Sequence, residues 1–412
     1  MRSSAPYWLM RNGIGDAHRN DTVSDFDVAI VGAGISGAMV ADALIATGRR
    51  IVAIDAGEPG LGSTAASTAL LQYEIDAHLS DLAGRLGPER ATRAYRACAD
   101  AIAMIESRYA ELLPLADYER RESLYLACDE QSVSALRAEL AARRAIGLVV
   151  EWLEATELER RFGCRRPGAI LSRLGAQMDP LKFTRALLAG CMRHGMTIRT
   201  RAAVESIEET GGRMRLGFAD GGAITARDVI VCGGYESLKF LPFEVADVDN
   251  TFALVTRPLD DPAIAAMPLI WESARPYLYM RGTRDGRLIV GGADVPYRSV
   301  AARELLLPRQ LRKLAAGYAE LFGRELPPVA YAWAGSFAQT RDGLPYIGSV
   351  PGLNPRLQFV LAFGGNGITY SVQAGAIVRA HLEGRAHELD DVFGFGRNAA
   401  LPSVAKSVAG QV

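Results

Sequence analysis

The spacing of apolar residues changes along this chain between the two-residue period of strands and the longer period of helices. Residues 26–31 form a short apolar run, residues 35–47 have helical spacing that ends at Gly48, and residues 50–54 form a second apolar run. This order predicts a βαβ unit, in which a helix joins two parallel strands. The fold class that we expect is therefore α/β.

Similar patterns continue along the rest of the chain, without an internal repeat or a low-complexity linker. Helical spacing predicts helices over residues 85–113, 131–146, 156–162, 180–195, 303–322 and 369–383. Apolar or alternating runs predict strands over residues 197–201, 204–207, 214–218, 223–225, 228–232, 253–256, 269–271, 277–281, 287–291, 331–339 and 357–362. Strands dominate between residues 251 and 294. This indicates a second, α+β part of the chain that is interleaved with the α/β part containing the βαβ unit.

Composition and charge narrow the function classes. The 412 residues carry a formal net charge of −1, which provides no electrostatic footprint for nucleic acid or an anionic membrane. The five cysteines are scattered and predict neither a disulfide framework nor a zinc site, so we expect no metal and a reducing compartment. Residues 1–24 lack the apolar run of a signal peptide, and glycines and Asp42 interrupt residues 28–48, so we expect a cytoplasmic protein without a membrane span.

The strongest local motif is Gly32-Ala33-Gly34-Ile35-Ser36-Gly37, which follows the first predicted strand and opens the first predicted helix. Gly32 allows a tight turn, Gly34 allows a pyrophosphate to approach the backbone, and Gly37 allows the helix to pack on the strand. The N–H groups at the helix start, including those of Ile35 and Ser36, suit a phosphate. Asp55, followed by Ala56, ends the second strand about 20 residues on, where a carboxylate binds ribose hydroxyls.

Two further segments favour a flavin over a nicotinamide dinucleotide. Residues 62–69 are small and rich in hydroxyls, which suits a ribityl chain and a pyrophosphate; the candidate ligands are Ser63, Thr64, Ser67 and Thr68. A second glycine cluster opens the last helix and suits the pyrimidine end of a flavin; its candidate residues are Gly365, Asn366, Gly367, Ile368 and Thr369. A plain flexible loop and an ordinary glycine-rich helix start remain the alternatives for these two segments.

Taken together, the motifs resemble the D-amino-acid oxidase-type family of FAD-dependent oxidoreductases, which includes glycine and sarcosine oxidases. The resemblance extends from residue 26 to about residue 384 and follows the family's order of motifs. The segments that carry it are 27–37, 62–64, Met178-Asp179-Pro180, 229–237, 287–292, 333–348 with its core Thr340-Arg341-Asp342-Gly343-Leu344-Pro345-Tyr346-Ile347-Gly348, and the cluster at Gly364.

The resemblance implies a Rossmann-like FAD-binding domain and an interleaved, mostly antiparallel-sheet substrate domain. The expected FAD-binding domain consists of residues 25–80, 180–235 and 326–395, and the expected substrate domain of residues 81–179 and 236–325. Residues 1–24 form an N-terminal arm, with Tyr7, Trp8 and Leu9 as its anchors, and residues 396–412 form a C-terminal tail. The family's pattern also implies cofactor contacts at Val204, Gly233, Gly335 and Gly343.

Three departures from the family's pattern change the expectation. Gly335 and Ala66 occupy the positions where some relatives attach flavin covalently, so we expect non-covalent FAD. Phe337 occupies the position of the arginine that holds a substrate carboxylate in glycine oxidase-like enzymes. This replacement argues against a simple amino-acid substrate unless Arg281 or Arg341 takes over the role. Ile289 lies near the position of a lysine that is linked to oxygen activation in sarcosine oxidases, so the resemblance does not imply a fast reaction with O₂.

The predicted strand over residues 277–281 carries the candidate substrate site. Because side chains alternate along a strand, Tyr277, Tyr279 and Arg281 share one face. By the resemblance, Tyr277 and Arg281 match positions that face the substrate in glycine oxidase-like members of the family. Two phenols beside a guanidinium suit a polar or anionic substrate. The alternative interpretation is that both tyrosines are core or rim aromatics and that Arg281 is a surface ion-pair partner.

These observations favour an FAD-dependent enzyme that oxidises a C–N bond of a small amine or amino acid by transferring hydride to flavin N5. Molecular oxygen or another acceptor would then reoxidise the flavin. The alternatives are an FAD enzyme acting on a hydroxy acid, a non-catalytic flavoprotein or subunit of a larger dehydrogenase, and, least favoured, a nicotinamide-linked dehydrogenase. The expected partner is a small-molecule substrate; the oligomeric state stays open.

Overall fold

The structure is a computed structural model that describes residues 2–3, 5–15, 23–296 and 299–397. Its strands are β1 (Arg2–Ser3), β2 (Asp25–Val31), β3 (Ile51–Ile54), β4 (Leu70–Gln72), β5 (Glu119–Arg120), β6 (Ser123–Leu126), β7 (Val150–Glu154), β8 (Gly168–Ser172), β9 (Gly175–Gln177), β10 (Thr197–Arg199), β11 (Val204–Thr210), β12 (Arg213–Phe218), β13 (Ala223–Val231), β14 (Ala246–Thr256), β15 (Leu269–Glu272), β16 (Leu278–Gly282), β17 (Leu288–Pro296), β18 (Val329–Thr340), β19 (Tyr346–Ser349) and β20 (Leu357–Leu361).

Helices lie between most of these strands. They are α1 (Tyr7–Asn12), α2 (Ile35–Ile45), α3 (Ser63–Ala66), α4 (Leu79–Leu86), α5 (Pro88–Arg108), α6 (Glu130–Ala145), α7 (Ala155–Phe162), α8 (Pro180–Arg193), α9 (Pro262–Ala266), α10 (Val300–Phe322), α11 (Gly367–Leu382) and α12 (Asp390–Phe393). Two 3-10 helices span Gly234–Phe240 and Phe395–Arg397. No helix within the described ranges has the length and apolar composition that a membrane span requires.

One sheet contains the parallel strands of the βαβ unit. Its strand order is β10-β3-β2-β13-β12-β11, with β20 parallel to β13 and β19 at the edge beyond β20. Val28 and Ile30 of β2 belong to a core that includes α2 and α11, whereas Ala29 and Val31 belong to a second core on the other face. Burial on both faces explains why β2 is almost continuously apolar.

The second sheet has nine strands in the order β1-β18-β14-β17-β16-β15-β6-β8-β7. All of its neighbouring strands run antiparallel except β15 and β6. Leu278 and Met280 of β16 pack in one core with Leu314 and Tyr318 of α10. Because side chains alternate, the opposite face of β16 is turned away from α10. The expected fold class, α/β with a mostly antiparallel second part, is confirmed.

Several predicted boundaries were wrong for local reasons. The helix predicted over residues 85–113 is two helices, because Gly87 adopts a φ of 87° and Pro88 begins a new helix. The strands predicted over residues 223–225 and 228–232 are the single strand β13. The short antiparallel strands β6, β7 and β8 were missed because none of them has a long alternating pattern.

One strand lies outside its expected domain. The expected boundary at residue 326 grouped residues 329–340 with the nucleotide-binding part, but β18 pairs with β14 along most of its length in the nine-stranded sheet. The N-terminal segment also contacts this sheet, because β1 pairs with β18 at Gly335. Tyr7 and Trp8 are buried, and Leu9 is half-buried. Residues 16–22 of the expected arm and 398–412 of the expected tail lie outside the described residues.

Candidate active site

A cavity of about 760 Å³ is lined by residues of both large sheets. We call the part formed by residues 31–36, 54–68 and 232–240 the nucleotide region. The part formed by Glu74, Asp76, Thr251, Trp271, Tyr277, Tyr279, Asp294 and Phe337 is called the chamber. All of these residues line the same cavity except Ala33, Pro59, Gly60, Ala65 and Leu238.

The glycine loop after β2 has no room for a side chain at Gly32 or at Gly37. Gly32 has a φ of +106°, and a Cβ there would lie 2.5 Å from the Cys232 carbonyl oxygen. A Cβ on Gly37 would lie 1.9 Å from the Gly32 carbonyl oxygen. Gly32 lines the cavity, whereas Gly37 lies behind the wall and brings α2 against the loop. Close backbone packing at these two glycines therefore holds the start of α2 near the cavity.

Asp55 connects the end of β3 to this loop. Its carboxylate accepts hydrogen bonds from the Ala33 N–H at 2.9 Å and the Gly57 N–H at 2.8 Å. Burial raises the pKa of Asp55, although the two N–H donors oppose this change. Asp55 therefore orders the loop while it also lines the cavity.

The hydroxyl-rich segment over residues 63–68 is bonded to α2 and to three distant elements. Thr64 Oγ1 accepts the Ile35 N–H at 2.9 Å. The carbonyl oxygens of residues 66, 67 and 68 accept hydrogen bonds from Trp333 Nε1 at 2.9 Å, Trp8 Nε1 at 2.8 Å and Arg281 Nε at 2.6 Å. With its carbonyl groups engaged, the segment has a fixed backbone where it lines the cavity.

Arg281 is the clearest correction to the expected substrate site. Its guanidinium also donates to the Met178 carbonyl at 2.9 Å and lies 5.2 Å from the Trp8 ring centre. Arg281 is 2% exposed and does not line the cavity, and burial lowers its pKa to about 10. Arg341, the other possible replacement for a carboxylate-binding arginine, is exposed and also lies off the wall. Neither arginine therefore faces the chamber.

The late glycine cluster closes the cavity near α11. The Gly365 N–H donates to Asp76 Oδ2 at 2.8 Å, and Asn366 Nδ2 donates to the Gln72 carbonyl at 2.8 Å. A Cβ on Gly367 would lie 2.8 Å from the Ala362 carbonyl oxygen. The cluster is thus attached to the segment after β4, which carries Asp76 into the chamber.

Aromatic side chains form one wall of the chamber, and we call Trp271, Tyr277 and Tyr279 the aromatic wall. The ring centres of Tyr277 and Tyr279 are 5.6 Å apart, and those of Trp271 and Tyr277 are 6.5 Å apart. Tyr125 stacks on Trp271 at 3.7 Å. Burial raises the pKa of both Tyr277 and Tyr279, so their phenols stay protonated at neutral pH.

Gly291 explains how Tyr279 reaches its position. The two residues are paired across β16 and β17, and a Cβ on Gly291 would lie 2.4 Å from the Tyr279 ring. The absent side chain leaves room for the phenol to lie across the neighbouring strand. Tyr279 Oη then lies 3.4 Å from Thr251 Oγ1.

Asp294 enters the chamber from an irregular part of β17. Phe252 pairs with Gly292 and Asn250 with Val295, so β17 has one extra residue at this point. Gly292 has a φ of +130° and Ala293 a φ of +56°. Such bulges redirect side chains and are frequent beside active sites.

The chamber's carboxylates differ in their partners. Asp76 accepts hydrogen bonds from Gly365 and, at 3.3 Å, from the Tyr277 hydroxyl. Asp294 Oδ1 is buried without a partner among the described residues, and burial raises the pKa of Asp294 to about 6. Glu74 is 5% exposed, and its Oε1 lies 3.8 Å from Nη1 of the buried Arg143.

Most of the predicted site residues lie on the cavity wall. The residues on the wall are Gly32, Gly34, Ile35, Ser36, Asp55, Ala56, Ser63, Thr64, Ser67, Thr68, Val204, Gly233, Tyr277, Tyr279, Gly335, Gly365, Asn366, Gly367 and Ile368. Besides Arg281, three predicted residues lie off the wall: Gly37, Gly343 and Thr369. Gly343 occupies a turn with a φ of +74°, and Thr369 bonds its own helix through the Asn366 carbonyl.

Sequence reasoning missed the chamber residues Glu74, Asp76, Trp271 and Asp294. The Gly291-Gly292 pair inside a strand pattern was a usable signal for Asp294, because glycines in strands indicate bulges or close approaches. Trp271 is only 5% exposed, as a core residue would be, yet it lines the cavity. Glu74 and Asp76 have no local motif that could have indicated them.

The nucleotide region fits a flavin dinucleotide. Its wall contains the glycine loop at a helix start, a terminal carboxylate and a run of hydroxyl-bearing residues, which suit a pyrophosphate, a ribose and a ribityl chain. Two of its polar atoms, Ser237 Oγ and Glu58 Oε2, are buried without a hydrogen-bond partner in the described part of the chain. Buried polar atoms of this kind are satisfied when a polar ligand occupies the cavity.

Comparisons with known proteins agree with this geometry. The family DAO, described as FAD dependent oxidoreductase, matches residues 27–380. A glycine oxidase of Bacillus licheniformis is 26% identical over 86% of this chain and 92% of its own length.

Solved structures share the fold. A glycine oxidase of Geobacillus kaustophilus has a TM-score of 0.76 at 20% identity, covering 92% of this chain and all of the other. An L-alpha-glycerophosphate oxidase of Mycoplasma pneumoniae with FAD bound has a TM-score of 0.72 at 14% identity, covering 88% and 95% of the two chains. The family match covers most of the chain, and the chain belongs to the DAO family of FAD-dependent oxidoreductases.

Proposed function

We propose that this enzyme oxidises a C–N bond of a small amine or amino acid. The observation that carries the proposal is the single cavity, in which the nucleotide region and the chamber share one wall. A substrate in the chamber would therefore share this cavity with a cofactor held by the nucleotide region. The name of the Bacillus licheniformis relative, glycine oxidase, supports a substrate with a C–N bond.

The chemistry requires one oxidation and one reduction. FAD, when bound, would supply the acceptor for the hydride, which carries both electrons of the broken C–H bond, and O₂ or another acceptor would later take up these electrons. The substrate nitrogen reacts in its neutral form, after an ammonium proton has passed to water, because its lone pair enters the new C=N bond. Water then converts the resulting iminium to a carbonyl compound and an amine. The chamber contributes position and exclusion of water, since Trp271 and Tyr277 are 5% and 7% exposed.

We propose that the FAD is bound without a covalent bond. Ala66 and Gly335 line the cavity at the positions expected for covalent attachment, and neither has a nucleophilic side chain. A Cβ on Gly335 would lie 3.7 Å from Ala66 Cβ, so the two positions are neighbours. Release of yellow cofactor from acid-precipitated protein checks this point.

We propose a cytoplasmic location as well. The five cysteines are free, and Cys98, Cys164, Cys191 and Cys232 are buried. Burial raises the pKa of these four thiols, which keeps them protonated and unreactive. Unpaired cysteines suit a reducing compartment, and cell fractionation with an antibody against this chain is the check.

The test of the activity is anaerobic bleaching of the FAD-loaded protein by three substrate classes: amines, amino acids and hydroxy acids. Bleaching by an amine or an amino acid is the expected result. Bleaching by hydroxy acids alone would replace the proposal with C–O oxidation. A protein that binds FAD and is bleached by none of the three classes would instead support a non-catalytic flavoprotein or a subunit of a larger dehydrogenase.

A further inference from the structure

The charge of the chamber is unsuited to an anion. Its described wall contains three carboxylates, those of Glu74, Asp76 and Asp294, and neither an arginine nor a lysine. The lysine that does line the cavity, Lys239, bonds the Val204 carbonyl in the nucleotide region. A carboxylate-bearing substrate would bring a further negative charge beside these groups.

Two arginines lie near the chamber but outside its wall, and one of them, Arg143, has no hydrogen-bond partner for Nη1 or Nη2 among the described residues. Arg143 lies behind Glu74 and is shared with Glu139, whose Oε1 accepts its Nε–H at 2.8 Å. Arg275 is exposed at the rim, where it donates to the Asp76 carbonyl oxygen at 2.9 Å and lies 4.9 Å from the Tyr277 ring centre. Neither side chain lines the cavity. The nearby arginines thus offset part of the negative charge without offering a guanidinium inside the chamber.

Asp294 and Glu74 each have one carboxylate oxygen, Oδ1 and Oε2, that is buried without a hydrogen-bond partner among the described residues. Asp76 is satisfied by a backbone N–H and a phenol, whereas Asp294 Oδ1 is buried and accepts no hydrogen bond from the described residues. A buried carboxylate oxygen without a donor is costly, and a ligand that brings an N–H donor and a positive charge removes this cost.

The aromatic wall favours the same kind of ligand. Trp271, Tyr277 and Tyr279 meet at ring distances of 5.6 and 6.5 Å, which forms a contiguous aromatic surface on the cavity. Aromatic faces carry negative electrostatic potential, so they attract ammonium groups. A carboxylate and an aromatic surface in one cavity combine the two features that bind organic cations.

We propose that the substrate is a cationic amine without a carboxylate beside the reacting carbon, and that Asp294 and the aromatic wall bind its ammonium group. This inference rests on the proposed C–N oxidation and names its substrate class. Phe337, on the chamber wall where the family's pattern has an arginine, provides space and apolar contact for the alkyl part of such an amine.

A matched pair of ligands tests the inference. Pyrrolidine, in its protonated form, and L-proline share a ring and differ by one carboxylate, and acetate serves as a carboxylate alone. Calorimetric titration of the FAD-loaded protein should give a dissociation constant for pyrrolidine at least about tenfold lower than that for proline. Tighter binding of proline or acetate, or no binding of pyrrolidine, would overturn the inference.

Variants locate the effect in the chamber. Asp294→Asn should raise the dissociation constant for pyrrolidine by about tenfold or more, while Asp247→Asn, the same change at an exposed position of β14, should leave it unchanged. An unchanged constant in Asp294→Asn would contradict the assignment. The FAD content of each variant shows whether it has folded.

A second pair reverses the preference. Phe337→Arg introduces a guanidinium on the chamber wall and should shift the preference towards proline, whereas Phe337→Met, a change of shape without charge, should not.

Anaerobic bleaching distinguishes failure of the proposed C–N oxidation from failure of the proposed substrate class. Bleaching by proline with tighter proline binding would remove the inference and keep C–N oxidation. Bleaching by hydroxy acids alone would remove C–N oxidation, and calorimetry would still decide which charge the chamber binds.

Discussion

The nucleotide region and the chamber share a cavity but are built in different ways. The nucleotide region draws its central part from one continuous stretch of chain, residues 31–68, and much of its recognition comes from backbone atoms and glycines. The chamber is assembled from side chains of β14, β15, β16, β17 and β18 and of the segment after β4. Sequence spacing can therefore specify the first region, whereas the second depends on strand register.

Because the two regions are built differently, we expect one to determine the cofactor and the other to determine the substrate. Backbone N–H groups at a helix start suit any pyrophosphate, so the nucleotide region specifies the cofactor class. Side chains such as Asp294 and Tyr279 can change without altering the fold, so we expect the chamber to specify the substrate. Variants of the two regions should accordingly separate loss of FAD from change of substrate.

The largest expected effect comes from the glycine loop. Gly37→Val would put a side chain into the space 1.9 Å from the Gly32 carbonyl oxygen, where backbone has to move. We expect a loss of more than about 4 kcal/mol of unfolding free energy, or protein without FAD. Thermal melts and the absorbance ratio of FAD to protein measure this effect. Gly84→Ala in α4, where nothing lies within 4 Å, is the control; a yellow, stable Gly37→Val protein would contradict the role of the loop.

The next effect tests whether the nucleotide region depends on distant residues. Arg281→Met removes the donor to the Thr68 and Met178 carbonyls and leaves both buried acceptors without this partner. We expect the dissociation constant for FAD to rise about 30-fold, equivalent to about 2 kcal/mol, with the preference for pyrrolidine over proline retained. Arg284→Met, at an exposed position, is the matched control. If the variant instead bound FAD normally but had a changed substrate preference, the result would support the sequence-based prediction that Arg281 belongs to the substrate site.

The pH dependence of amine binding should be a property of the chamber. Burial raises the pKa of Asp294 to about 6; Asp249 and Asp76 add to the rise, while Thr251 and Arg275 oppose it. The carboxylate is ionised above this pKa and neutral below it, so cation binding is strong above pH 6 and weakens as the pH falls. The dissociation constant for pyrrolidine, which stays protonated throughout, should rise about tenfold per pH unit below the pKa.

The same titration of Asp294→Asn supplies the control for this pH dependence. The variant has no titrating group at this position, so its weaker binding should vary little between pH 5 and 7, a range of about two units around the wild-type value. An equal slope in wild type and variant would assign the titration to another group.

The smallest expected effect concerns the position of Tyr279. Gly291→Ala adds a methyl group 2.4 Å from the Tyr279 ring, which must then move. We expect amine binding to weaken by about threefold to tenfold, with FAD content unchanged. Calorimetry and flavin absorbance on the same sample measure both. Loss of FAD without a change in amine binding would mean that the two regions are not separable.

The sequence predicted the nucleotide region well because its determinants are local. The glycine spacing, the helix start at Ile35 and the carboxylate at Asp55 lie within one βαβ unit, and each has a backbone reason that spacing reveals. The order of the motifs along the chain also indicated the family, which the match over residues 27–380 confirms.

The chamber was predicted only in part, because alternation gives the face of a residue but not its distance from a site. Tyr277, Tyr279 and Arg281 were placed together on these grounds, yet Arg281 bonds backbone carbonyls outside the wall. Asp294 depends on a bulge that changes the register of β17, and Asp76 on a contact with Gly365 that spans 289 residues of sequence. Such contacts are fixed by tertiary packing.

The most direct measurement is a crystal structure of the protein grown with FAD and pyrrolidine under anaerobic conditions. We expect density for the flavin dinucleotide along the nucleotide region, and density for the amine against the aromatic wall with its nitrogen within hydrogen-bonding distance of Asp294. A flavin bound elsewhere, or an amine that avoids Asp294 while a carboxylate ligand occupies the chamber, would contradict the assignment of the cavity.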